Sequence, residues 1–177
     1  MKIGSIISIF TFLLLLGCEG KQSPISFNME FNSEVTIPSS TVINLPFNLF
    51  TPDIETNTEA TCEVNNTKKK FIKNITINTL SLSILSPEGE DFSFLKSIGI
   101  YINAEDLSSL QVAVNEDVNA DATSPLNLTV TTEDLSAYIK KDRFSLSVTT
   151  ITDELIASDY TIGVHANFKV EALLSKN

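Results

Sequence analysis
From residue 25 onward, apolar side chains recur at every second position through most of the chain. Ile25, Phe27, Met29 and Phe31 alternate with Ser26, Asn28 and Glu30, and Val35 and Ile37 keep the phase. Period two marks a strand with one buried face, so residues 25–37 predict a strand or strand pair. Ile43, Leu45, Phe47 and Leu49 form a second run, interrupted by Pro46. Proline lacks the ladder donor, which places that run at a sheet edge or a bulge. Residues 51–70 lose the pattern and predict a long polar loop, with one helical turn near 66–72.

The alternation returns at Phe71. Ile75 and Ile77 share one phase, and Leu80, Leu82 and Ile84 share the other. A strand cannot switch faces without an extra residue, so a bulge is expected near Asn78-Thr79. Ser86-Pro87-Glu88-Gly89-Glu90 predicts a turn. Phe92, Phe94, Ile98, Ile100 and Ile102 follow in one phase, broken once by Lys96. Leu80–Ile102 therefore reads as the central hairpin. Residues 103–107 predict a capped single turn. Leu110, Val112 and Val114 predict a strand, as do Leu126, Leu128 and Val130 beyond the polar loop 115–125.

Thr132-Glu133-Asp134 offers a helix N-cap with early acids, and Leu135, Tyr138 and Ile139 follow at helical spacing. Residues 132–140 thus predict one short helix. Phe144, Leu146 and Val148 predict a strand, residues 152–158 a turn, and Tyr160 to Leu174 a long final strand. The fold class is all-β: an antiparallel β-sandwich of about eight or nine strands with one short helix. The Cys pair and core Trp of immunoglobulin domains are both missing. Ig-like and jelly-roll arrangements stay open.

The first eighteen residues follow a different rule. Lys2 precedes the apolar run Ile6–Leu16, which ends in Gly17-Cys18. As a helix that run spans roughly 16 Å, against the ~20 residues needed to cross a bilayer. It matches a secretory signal. Leu15-Leu16-Gly17-Cys18 resembles the lipobox of bacterial lipoproteins. The resemblance implies cleavage before Cys18, a diacylglyceryl thioether on its sulfur, and acylation, with palmitate as a typical chain, of the new N-terminus. Residues 1–17 are then the signal peptide, 18–24 a lipid-anchored tether and 25–177 the sandwich domain. Two or more acyl chains anchor a protein stably without a spanning helix. The expected location is the cell envelope, with the outer membrane favoured over the inner. The body is similar to small lipoproteins of uncertain function in Bacteroidota-type Gram-negative bacteria. The segment from Leu128 through Asp134-Leu135-Ser136-Ala137-Tyr138 to Phe144 resembles jelly-roll binding modules.

Charge and composition narrow the chemistry. Loss of Lys2 lowers the basic residues from 12 to 11 against 22 acidic ones, a side-chain charge of −11. Such acidity disfavours nucleic acid and anionic headgroups as partners. The lysine triplet Lys68-Lys69-Lys70 reads as a solvated face or a contact for an anionic partner. With Cys18 lipidated, Cys62 has no disulfide partner. It reads as a small buried hydrophobe or, more sharply, as a reactive thiol, a role that the neighbouring carboxylates Glu59 and Glu63 oppose by raising its pKa.

His165 is the one histidine and falls on the polar phase of the last strand. No nucleophile motif, phosphate loop or zinc ligand set accompanies it, so the chain reads as a non-enzyme without a cofactor. Asp117, Asn119 and Asp121 space oxygen ligands as calcium loops do, but Ala122 and Leu128 stand where an EF-hand needs Gly and Glu. Tyr101 is off the core phase, and either lies exposed, as a sugar platform would, or covers the second sheet. Tyr138 and Tyr160 lie near element ends. The expected role is a membrane-tethered binding or interaction module, with an envelope assembly factor or a carbohydrate-binding or carbohydrate-active protein as alternatives.

Overall fold
The structure is a computed structural model, and it describes residues 22–41 and 43–175. Two antiparallel sheets face each other. One holds the strands β1 (Pro24–Ile37), β10 (Tyr160–Leu173), β4 (Ile72–Ser86) and β7 (Leu126–Asn127), in that order. The other runs β2 (Pro46–Phe50), β9 (Arg143–Thr152), β5 (Leu95–Asn103), β6 (Leu110–Asn115) and β8 (Thr129–Val130), with β3 (Ile54–Glu55) also on β9. Chain order alternates between the sheets: β1 lies in the first, β2 in the second, β4 in the first and β5 in the second. This interleaving is the jelly-roll arrangement, which folds a pair of Greek keys over one core.

The alternation sets the layers. β1 pairs with β10 along its whole length, from Pro24 on Leu173 to Ile37 on Tyr160. Inward Met29, Phe31, Val35 and Ile37 are buried, as are Ile162, Val164, Ala166, Phe168 and Val170 opposite them. Phe144 of β9 reaches across from the second sheet. Its ring sits 5.1 Å from Phe31 and 6.3 Å from Phe168, while Phe31 and Phe168 are 5.5 Å apart. All three contacts are edge-on, the geometry favoured by the aromatic quadrupole.

The bulge falls where the phase change places it. Ile77 pairs with Phe168 and Thr79 with Asn167, which leaves Asn78 without a partner position. Ile75, Ile77, Leu80 and Leu82 are all buried as a result. β2 is an edge strand that begins at Pro46, and β1 is one strand rather than two.

Four expectations are corrected. Leu80–Ile102 is not a hairpin, because β4 and β5 belong to different sheets. The 86–94 connection crosses the sandwich, and Phe92 and Phe94 are buried there in loop rather than strand. The run 126–130 is split: Leu126 pairs with Leu82 in the first sheet and Val130 with Ala113 in the second. The helix expected at 132–140 is only α2 (Ser136–Ile139). Asp134 stays outside it because its carboxylate accepts from the N–H groups of Ile75 (3.1 Å) and Ser136 (2.9 Å) and from the Ser136 hydroxyl.

The supposed loop 51–70 also holds β3 and a helix, α1 (Thr58–Val64), before a 3-10 turn at Lys69–Phe71. Only Thr58 and Cys62 of α1 are buried, four residues apart on one stripe. The Thr58 hydroxyl donates to the Ile139 carbonyl at 2.5 Å, tying α1 to α2. Both helices therefore sit at one end of the sandwich. Residues 38–41 and 43–45 and the loops 86–94, 116–125 and 153–159 gather at the other, bridged by Phe92 N–H to Ala122 and Asp153 N–H to Phe94.

Candidate functional site
The solvent face of the second sheet carries the aromatic surface. Phe50 pairs with Ser147, Ser147 with Tyr101, and Tyr101 with Gln111, so the four form one row across β2, β9, β5 and β6. Paired antiparallel residues share a face, and two strand spacings separate Phe50 from Tyr101 by roughly 10 Å. Phe50 is 69% exposed. Tyr101 is half-buried because it lies over Gly99: a Cβ there would meet the ring at 3.3 Å and the Gln111 amide at 3.2 Å. The Gln111 amide also donates to the Tyr101 hydroxyl at 3.4 Å.

Short polar side chains surround the row. Thr149 donates to Asn48 at 2.9 Å, and Asn103 donates to Ser147 at 3.0 Å. A shallow depression of about 220 Å³ borders Tyr101, Gln111 and Thr149. The surface thus pairs apolar ring area with directional donors and acceptors, the composition that recognises ligands with both C–H faces and hydroxyls.

A second concavity, about 680 Å³, opens beside β1, where Glu34, Asp53 and Glu55 meet Ser83, Leu85 and His165. His165 is exposed, and its Nδ1 lies 2.5 Å from Asn32 Oδ1 on the neighbouring strand. Among the described residues its side-chain partner is this asparagine.

The other sequence candidates disperse. Cys18 lies outside the described residues. Tyr138 is in the core, where its hydroxyl donates to the Ser108 carbonyl at 2.6 Å. Tyr160 packs 4.4 Å from Phe94 and donates to Glu90 at 2.9 Å. Burial, then the Glu90 hydrogen bond and charge, push its phenol up to about 12. Neither is a platform. Cys62 is fully buried; burial first, and Glu59 second, raise its thiol pKa, while Lys69 and Lys140 pull it down.

In the 115–125 loop, Asn115 Oδ1 accepts from the Asp117 N–H and Asn119 Oδ1 from the Asp121 N–H. Asn119 is thereby engaged with its own turn. Among the described residues, no three His, Cys, Asp or Glu side chains gather as a metal cage.

No family model matches the chain, and no curated protein does. Solved structures that align with it include a Desmodium yellow mottle tymovirus chain, at 12% identity, TM-score 0.30 and coverage of 100% of this chain and 97% of that one. An empty head of turnip yellow mosaic virus aligns at 12% identity and TM-score 0.30, over 99% and 91% of the two chains. Likeness at that level carries no argument here.

Sequence reasoning singled out Tyr101 but missed Phe50. That residue continues the even-numbered phase of Asn48 on an edge strand, and its place beside Tyr101 depends on a pairing about a hundred residues away. The clue was weak: Phe50 stands out of phase with Phe47 and Leu49.

Proposed function
We propose that this chain is a lipid-anchored, non-enzymatic lipoprotein of the cell envelope that acts as a binding or interaction module. The observation that carries the reading is the order of the chain. An apolar run closes in Leu-Leu-Gly-Cys, and Pro24, the first residue of β1, follows Cys18 by six positions. Fully extended, that connection reaches about 20 Å. A thioether and acyl chains at Cys18 would hold the sandwich against a membrane surface, and no described helix is long and apolar enough to cross one. Expression in a bacterial host with radiolabelled palmitate tests it. The wild-type chain is labelled and sediments with membranes, whereas Cys18→Ser is unlabelled and released. Retention of the unlabelled variant on membranes washed at high salt, where headgroup attraction is screened, would count against the anchor.

The Phe50–Tyr101 row favours a second, more specific reading, a carbohydrate-binding module. The ring faces supply stacking area, and Ser147, Gln111 and Asn103 supply hydrogen bonds. A glycan array with Phe50→Ala and Tyr101→Ala as controls distinguishes the readings. Indifference of the wild-type protein to every glycan would leave a protein partner as the occupant of that face.

A further inference from the structure
The lysine triplet is not an isolated surface feature. Lys68, Lys69, Lys70 and Lys140, with Glu59, line one open groove of about 610 Å³ at the helical end of the sandwich. Exposed Lys73 is the second residue of the adjoining β4. Lys140 is placed there by its bond to the Ile72 carbonyl at 3.1 Å. Lys69 contacts Asp142 at 3.5 Å, and Lys70 lies 5.1 Å over the Phe71 ring. Lys68, Lys70 and Lys73 make no ion pair among the described residues. The acids nearest in sequence, Glu59 and Glu63, are on α1, and Glu171 is held by Lys169 at 2.6 Å.

This groove adjoins the point where the chain leaves the fold. Pro24 pairs with Leu173, and the Leu173 carbonyl accepts from the Thr67 hydroxyl at 2.6 Å. Ser175 N–H donates to the Asn66 carbonyl at 2.8 Å. The segment that carries the triplet is thus tied to the strand partner of Pro24. Val64, 82% exposed, ends α1 just before it. The helical end also carries Asp53, Glu55, Glu105 and Asp142, interleaved with Lys69, Lys140, Lys141 and Arg143, whereas the loops at the far end carry Glu88, Asp91, Asp117, Asp121, Asp153 and Asp159 against Lys96.

We infer that the lysine groove is a membrane-facing contact for the phosphates of anionic lipid headgroups, orienting the anchored domain with its acidic end outward. The inference takes its direction from the anchor proposed at Cys18. Charge separation is what allows it in a chain of net charge −10, because headgroup attraction acts only within about a Debye length of the surface. Each lysine held there raises partitioning roughly five-fold.

The test uses residues 18–177, the chain expected after signal cleavage, with Cys18→Ser so that it cannot be lipidated, on phosphatidylcholine vesicles with or without phosphatidylglycerol. Binding to the anionic vesicles should exceed binding to the neutral ones by at least ten-fold and vanish at high salt. Lys68→Gln/Lys70→Gln/Lys73→Gln, all at exposed positions, should remove that excess, and Lys96→Gln should not. Equal binding to both vesicles, or equal loss with Lys96→Gln, overturns the inference. So does full competition by millimolar free phosphate, which would mark a soluble-anion site. Because this chain has no anchor, the result does not depend on whether native Cys18 is lipidated.

Discussion
Cys62 shows how much a short stretch of sequence says about one side chain. Its lack of a partner and its carboxylate neighbours read directly as a buried thiol of raised pKa, and the structure agrees, with burial the larger cause. Iodoacetamide should therefore leave Cys62 intact in the folded protein and modify it only after unfolding; fast alkylation under native conditions would contradict this burial. Asp134 was read as part of a helix start and is instead a clamp between α2 and β4. Burial pushes its carboxyl up, but hydrogen bonds from Ser136 and Ile75 outweigh that and hold it below its ordinary value. A depressed folded-state pKa contributes stability above the unfolded value, and that stability is lost as pH falls through the folded one. Asp134→Ala should cost about 1 kcal/mol or less at neutral pH, because solvent screens this exposed carboxylate, and flatten the acid limb of the stability curve, as denaturant melts at several pH values would show. Tyr160 has the opposite sign. Its raised phenol pKa means stability present below pH 10 and lost as pH rises toward 12, so Tyr160→Phe should blunt alkaline unfolding. Neither role was legible in sequence, because the partners of Asp134 and Tyr160 lie 59 and 70 residues away.

Elements were legible in proportion to their own periodicity. β1, β9 and β10 follow unbroken alternation, and the switch of phase in β4 located its bulge. Deleting Asn78 removes the extra residue and leaves Ile75, Ile77, Leu80 and Leu82 in one uninterrupted phase, so that variant should still fold cooperatively, whereas deleting Thr76 makes Ile75 and Ile77 adjacent, should turn Ile75 onto the wrong face and abolish cooperative folding. Thermal melts of the two variants check this directly, and a well-folded Thr76 deletion would refute the register. Phe168→Ala should cost about 3–5 kcal/mol through the void it opens between Phe31 and Phe144. α1 was missed because Thr58 and Cys62, its inward residues, are not the large apolar pair that helical periodicity relies on. The false hairpin has a different origin. Two adjacent apolar runs with a Pro-Gly turn between them look alike whether the turn closes one sheet or crosses between two, and only the pairing of β4 with β10 and of β5 with β9 decides.

For the molecule as a whole, the sandwich class was readable from the number and spacing of apolar runs, but its jelly-roll connectivity came only with strand order. The same holds for surface chemistry. Net charge alone argued against anionic lipid, yet folding gathers Lys68, Lys69, Lys70 and Lys140 at the helical end, among acids, and leaves the far loops with Lys96 as their base. The Phe50–Tyr101 row likewise exists only once β9 lies between β2 and β5. The membrane orientation takes its direction from the attachment proposed at Cys18, and intact-mass spectrometry of the native protein tests that most directly. The account predicts a chain that begins at residue 18 and carries the mass of a diacylglyceryl thioether with its acyl chain. An unmodified polypeptide beginning at Met1 would contradict it.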